Sequence, residues 1–182
     1  MGDALGDSLI TDSPIEHIDL ETLTVNHQWS ARKIISTIPW TQYLNFCLVD
    51  TELTKALSLL KHVSIDVDYH AETINTQAHW IYEPDEKIAY HRILARSNFA
   101  PGSRGYWTET NSMRSLQLEN KRFHNEYAYP LNTVGKPDTI GYILSRFREM
   151  GVIGLGRWGR WDHMNSDVAV AEAMQLSHEL TK

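Results

Sequence analysis

Apolar and polar positions alternate most strictly in residues 63 to 70, where Val63, Ile65, Val67 and Tyr69 interleave with Ser64, Asp66, Asp68 and His70. Period two sends successive side chains to opposite faces, so the stretch predicts a strand with one buried and one wetted face. Two further runs, 78–82 and 87–94, flank Glu83-Pro84-Asp85-Glu86, whose turn chemistry predicts an antiparallel hairpin, and another strand is expected over 105–111. Helical spacing shows in Leu53, Ala56, Leu57 and Leu60 behind Asp50, a residue suited to accept from the free amides of a first turn. It returns in Ile140, Ile143, Leu144 and Phe147, bounded by Pro137 and Asp138 at the start and by Gly151 where a left-handed cap belongs. Shorter signals complete the chain. Ile18, Leu20, Leu23 and Val25 alternate loosely, and 33–38 is a β-branched run ended by Pro39. Residues 152–155 read as a short buried strand, and Asn165 or Ser166 opens a last helix with Val170, Ala173 and Met174 on one face.

Strands joined by hairpins, with helices between and after them, predict an α+β fold: a largely antiparallel sheet with helices packed on it. Three regions are expected: a flexible N-terminal tail at 1–14, an antiparallel-sheet region at 15–135, and a helix-strand-helix segment at 136–182. No internal repeat is evident.

Composition narrows the function classes. A chain of 182 residues with 42% hydrophobic and 22% charged content is ordinary for one globular domain with a real core. The formal charge of -6 supplies no basic footprint for nucleic acid. Cys47 is the single cysteine, which removes intrachain disulfides and cysteine metal clusters and leaves it the role of core filler. His79, His91, His124 and His163 have no HxH or HExxH spacing, so no metal site is expected. The N-terminus carries no basic region followed by an apolar run, and no stretch is long enough to span a membrane; a cytoplasmic protein is expected.

Chemistry concentrates in 154–167, Gly-Leu-Gly-Arg-Trp-Gly-Arg-Trp-Asp-His-Met-Asn-Ser-Asp. It contains GxGxxG, yet a dinucleotide fingerprint needs its helix to open at the third glycine and a second strand about 30 residues on, and neither follows here. What remains is a strand, a turn and a helix whose N-terminal amides are available to an anion. Arg157 has two readings: a ligand contact, or a pairing with Asp162 or Asp167 that fixes the turn. Asn165 and Asp167 are ordinary cap residues on local grounds. Arg92, between Tyr90 and Leu94 in one strand, faces inward if they do and then needs an anion. That anion is either a diphosphate, matched by the guanidinium fork, or the carboxylate of Glu109 or Asp85. Six tryptophans and eight tyrosines suit either a ring-lined cleft or a core and interface.

Four segments together resemble the UDP-galactopyranose mutases and related amine-oxidase-like flavoproteins. They are Ile34-Ile35-Ser36-Thr37-Ile38-Pro39; Trp80 to Asp85 with Ala89 to Ile93; Glu126-Tyr127-Ala128-Tyr129-Pro130; and the glycine-arginine segment above. They fall in the family's order over about residues 30 to 180. The resemblance implies FAD as cofactor, contacted by Gly156, Arg157, Asn165 and Asp167, and a nucleotide-sugar diphosphate bound by Arg92, Tyr129 and His163. No side chain is assigned as catalytic. His163 stands where the family carries a tyrosine. The family's N-terminal dinucleotide-binding half has no counterpart in residues 1 to 30, so the chain resembles a C-terminal portion, and a second chain carrying that half is a possible partner. The function implied is that of a partial flavin-dependent mutase in polysaccharide-precursor metabolism, inactive alone. The alternatives are a non-catalytic nucleotide-sugar-binding or scaffold domain, or a fragment of an amine-oxidase-like FAD oxidoreductase.

Overall fold

The computed structural model describes residues 4–114 and 122–181, with the side chain of Arg122 outside the description. Its strands are β1 (Ile18–Asp19), β2 (Thr24–Val25), β3 (Trp29–Ser30), β4 (Ile34–Ser36), β5 (His62–His70), β6 (Trp80–Tyr82), β7 (Tyr90–Ala95), β8 (Tyr106–Asn111), β9 (Arg122–Pro130) and β10 (Val152–Gly154). The α-helices are α1 (Tyr43–Phe46), α2 (Thr51–Leu59), α3 (Arg96–Phe99), α4 (Lys136–Glu149), α5 (Gly156–Gly159) and α6 (Ser166–Leu180). The fold is α+β, and the chain divides into two compact units, residues 61–132 and the combination of 1–60 with 133–182.

The continuous unit is one antiparallel sheet in the order β6-β7-β8-β5-β9. Its hairpin turn is held by Asp85, whose carboxylate accepts from the Lys87 amide at 2.9 Å. Central β5 departs from the expected wet face, since Asp66 and Asp68 are 9% and 7% exposed while Tyr69 is open. Strands β8 and β9 flank it on both edges, with Thr108, Thr110 and His124 directly across from the two acids. Cross-strand neighbours therefore cover polar positions that alternation alone assigns to water.

The discontinuous unit carries the largest core side chains, Trp40, Tyr43, Phe147 and Trp161, with Leu53, Leu57, Ile143 and Val152. Trp40 stacks on Phe147 at 4.4 Å and Tyr43 meets its edge at 4.8 Å. Asp50 caps α2 by accepting from the Leu53 amide at 2.8 Å, and Ile143 and Phe147 form the buried stripe of α4, which ends at Gly151 with φ of 89°. Cys47 is packed as filler; burial pushes its thiol up to about 11, so it is protonated at neutral pH. Residues 4–14 are exposed, with a 3-10 turn at Gly6–Ser8.

Helix α6 corrects one expectation. Leu176 is its buried residue, with Ala169, Glu172 and Ala173 partly covered, whereas Val170 and Met174 are 56% and 71% exposed. Small and apolar residues run almost all round this helix from Val168 to Leu176, so spacing alone selects no single face.

Strands β4 and β10 pair in parallel, and the turn beyond them is closed by backbone contact. A β-carbon on Gly154 would lie 1.8 Å from the Gly159 carbonyl oxygen, and one on Gly159 would lie 2.2 Å from that of Ser36. Gly156 differs, with φ of 70° and open space where its side chain would be. Gly159→Ala is therefore expected to lower stability by about 3 kcal/mol or more through overpacking, and Gly156→Ala by about 1–2 kcal/mol through backbone conformation alone. Urea denaturation midpoints of the two variants check the ordering.

Candidate functional site

Arg92 lies on β7 directly opposite Tyr82 of β6 and Glu109 of β8, and Glu109 lies opposite Val67 of β5, which faces Phe123 of β9. Direct partners share a face, so these residues form one row across the sheet. The next row on that face is Trp80, Leu94, Trp107 and Tyr69. Several of the rings are bare: Phe123 is 70% and Tyr82 63% exposed, and Trp80 and Tyr69 are exposed as well.

At the centre of this face, Arg92 donates Nε to Glu109 Oε2 at 2.8 Å, and its Nη2 also contacts that oxygen. The same Nη2 donates to the Tyr129 hydroxyl at 3.2 Å, and the guanidinium lies 5.9 Å from the centre of the Tyr82 ring. Burial alone would favour loss of the proton, but bonding to Tyr129 and Tyr82 and the charge of Glu109 outweigh it, so the Arg92 pKa is raised. Of the two carboxylates left open for Arg92, that of Glu109 is its partner. Asp85 is occupied by its own turn.

The register slips between Tyr90 and Arg92, where two steps of β7 match one step of β8. His91 is the extra residue of this bulge, and the slip corrects the expected common side: Tyr90 sits opposite Thr110, on the other face from Arg92 and Leu94. His91 Nε2 comes within 3.9 Å of Glu109 Oε2. Burial holds its pKa below the usual histidine value against the pull of Glu109, with Arg92 and Arg114 adding to the lowering. Sequence spacing gives no sign of this bulge.

The other predicted residues lie in the discontinuous unit. Gly156 opens α5, and Arg157 Nη2 donates to the Met164 carbonyl at 3.0 Å. Asp162 accepts from the His163 amide at 2.9 Å and lies 3.6 Å from the Lys136 ammonium. Asn165 occupies the N-cap of α6 in an extended conformation, but its side chain makes no cap bond. Asn165, Asp167 and His163 are all exposed. The residue that sequence reasoning passed over is Trp161, fully buried, with φ of 52° and an indole nitrogen lacking a hydrogen-bond partner among the described residues. A left-handed conformation in a bulky residue is stored strain, and it turns the chain between α5 and α6. Among the described residues no cluster of histidine, cysteine and carboxylate side chains is arranged to hold a metal.

The ion pair at the centre of the sheet face is testable by itself. Glu109→Ala leaves a half-buried guanidinium without its carboxylate and is expected to cost about 2–3 kcal/mol, discounted for the solvent that still reaches Arg92. The double variant R92M/E109L is expected to recover most of that loss in chemical denaturation.

No protein-family model and no curated protein sequence matches the chain. Its fold, however, is shared with solved structures. It is similar to a reduced UDP-galactopyranose mutase with a TM-score of 0.64 at 16% identity over 81% of this chain. It is similar to a CLA-producing fatty acid isomerase from P. acnes with a TM-score of 0.64 at 13% identity over 91%. The chain spans 42% and 46% of the length of those two proteins. No helix among the described residues is long and apolar enough to cross a membrane.

Proposed function

We propose that the chain is part of a flavoprotein of the UDP-galactopyranose mutase type. In this reading it binds a nucleotide-sugar diphosphate next to FAD that is gripped mainly by a dinucleotide-binding half outside these residues, on the same polypeptide or a second chain. The observation that carries the reading is the fold likeness to the mutase over four-fifths of the chain. Two local features support it. Helix α6 begins with exposed residues and an N-cap side chain that leaves its first amides unbonded, an arrangement suited to phosphate. The parallel pair of β4 and β10 has three residues per strand, and beside β10 a cleft of about 210 Å³ is lined by Ile153, Gly154, Arg148 of α4 and Leu176 of α6. Parallel strands are normally covered and extended on their edges, so this one suits addition of a further strand.

The fit to FAD is partial. Gly156 is unobstructed, but Gly154 and Gly159 are consumed by packing against each other and Ser36. Gly156, Arg157, Asn165 and Asp167 therefore would approach the cofactor through the mouth of α6 rather than through a glycine cradle.

When bound, the flavin supplies the covalent or redox chemistry. The chain's own part is positioning. Arg92 and Tyr129 converge on one spot of the sheet face and would hold the diphosphate, the guanidinium exchanging some of its contact with Glu109 for phosphate oxygens. The bare rings of Tyr82 and Phe123 on the same face suit a sugar or base.

The test is calorimetric titration of the purified chain with UDP-galactose, with and without saturating FAD. Little heat without flavin, binding at least tenfold tighter with it, and loss of that gain in Arg92→Lys, which keeps the charge but loses the fork, are the expected results. Strong binding indifferent to flavin points to a non-catalytic nucleotide-sugar module. A chain that stays yellow through gel filtration contradicts the need for a separate dinucleotide half. A second reading, a fragment of an FAD oxidoreductase acting on an apolar substrate, is favoured by the equal likeness to the fatty acid isomerase. Heat with a long-chain fatty acid and none with UDP-galactose selects it.

A further inference from the structure

The five-stranded sheet ends at β6, and the outer edge of that strand is open. The Ala95 amide donates to the His79 carbonyl at 2.9 Å and the Glu83 amide to the His91 carbonyl at 3.0 Å, so the odd-numbered residues here turn their main-chain groups towards β7. The amide and carbonyl of Trp80 and of Tyr82 therefore point outward, and among the described residues no strand pairs with them. Pro84, which has no N–H, bounds this stretch on one side. On the other, Ala78 is already engaged, its amide with the Thr76 hydroxyl and its carbonyl with the Asn98 side chain.

Open edges are normally defended by lysine, proline or a bulge within the strand. Here the strand is Trp80-Ile81-Tyr82, uncharged, with more than half of each ring residue exposed. A twofold axis through Ile81 makes the stretch complementary to itself. Antiparallel pairing of two copies sets Trp80 opposite the partner's Tyr82, Ile81 opposite the partner's Ile81, and His79 opposite the partner's Glu83. The outward groups of Trp80 and Tyr82 then bond each other in both directions, while the two Ile81 side chains form the close, non-hydrogen-bonded pair at the axis. His79 is exposed, and an imidazole donates to a carboxylate readily. Glu83 Oε1 accepts from the Asp85 amide at 3.0 Å, and its Oε2 has no hydrogen bond among the described residues. A basic side chain thus meets an acidic one on each side of the axis, and neither Glu83 faces its own copy.

We propose that β6 pairs with β6 of a second copy of this chain, antiparallel about Ile81, joining two sheets into one. The edge is used once per copy, so assembly closes at the dimer. Direct partners share a face, so the partner's Trp80 continues the row of Tyr82 and Arg92 and comes to lie beside Tyr82, whose ring centre is 5.9 Å from the Arg92 guanidinium. Aromatic side chains bury roughly 150–250 Å² each, and these two are partly covered already, so each copy hides on the order of a few hundred Å². A stable interface takes about 800 Å² per partner, so this dimer is weak and depends on concentration. No ligand is needed for it, so its failure leaves the proposed function standing, and the reverse.

Sedimentation velocity of the full chain over roughly 10 μM to 1 mM tests it, together with oxidative cross-linking of cysteine variants. A monomer on dilution and a dimer at the top of the range, with nothing larger, are expected. Ile81→Cys is expected to form a disulfide-linked dimer, because its α-carbon meets its own copy about 4.5 Å away, within disulfide reach. Glu83→Cys, which lies across from the partner's His79, is expected to form none, and the native chain with its half-buried Cys47 supplies the baseline. Trp80→Pro removes an outward amide and a ring but no bond to β7, and is expected to weaken association roughly tenfold or more. A chain that stays monomeric throughout leaves the edge to a strand of a different protein and overturns the proposal. Equal cross-linking of the two cysteine variants, the mark of parallel or random contact, overturns it as well, as does association that Trp80→Pro leaves in place. The native chain and Ile81→Cys decide the matter if the proline variant does not fold.

Discussion

One backbone contact organises the discontinuous unit: the stacking of Gly154, Gly159 and Ser36 without intervening side chains, secured by the Trp40 indole N–H donating to the Gly159 carbonyl at 2.8 Å. The partners of that bond lie 119 residues apart. Around it gather Phe147 stacked on Trp40, the parallel pairing of β4 with β10, and the turn that leads into α6. Only glycine lets two main chains approach as closely as they do at Gly154 and Gly159, whereas Gly156 has open space where a side chain would be. Contacts of such wide separation reward the chain only after a long closure, so this unit depends on cooperation among all its parts more than the hairpin-built sheet does.

Under the proposed function, the charge pattern of the sheet face limits what it would bind. Arg92 is the natural anchor for an anion, but Glu109 already neutralises it, and His91 nearby is held towards its uncharged form by burial. The diphosphate of the proposed function would therefore meet a balanced pair surrounded by rings rather than a bare positive pocket. Exchange of one carboxylate for another anion, as proposed, would favour a ligand that brings apolar or stacking surface along with its charge.

Legibility in the sequence followed the strength of local physics. Helix α4, the Asp50 cap and the long strand β5 were readable because propensity, periodicity and terminal residues agree there. The antiparallel sheet followed from its hairpin turn chemistry. The α6 face was not readable, since apolar residues surround that helix, and neither was the burial of Asp66 and Asp68, which comes from strands distant in sequence. The bulge at His91 inverted the side assigned to Tyr90 while leaving Arg92 and Leu94 together. Among the candidate residues, the partnership of Arg92 with Glu109 was one of the readings open from spacing. The packing duty of two glycines in GxGxxG and the strained, buried Trp161 were visible only in three dimensions.

The sheet unit leaves and rejoins the chain through adjacent strands: Lys61 and Leu131 meet in a 2.8 Å backbone hydrogen bond, just before β5 begins and just after β9 ends. A segment whose two ends coincide asks almost no extra reach of the polypeptide that hosts it. Lengthening or shortening the loops within this sheet therefore leaves the spacing between its two ends, and the closure demanded of the host segments, unchanged.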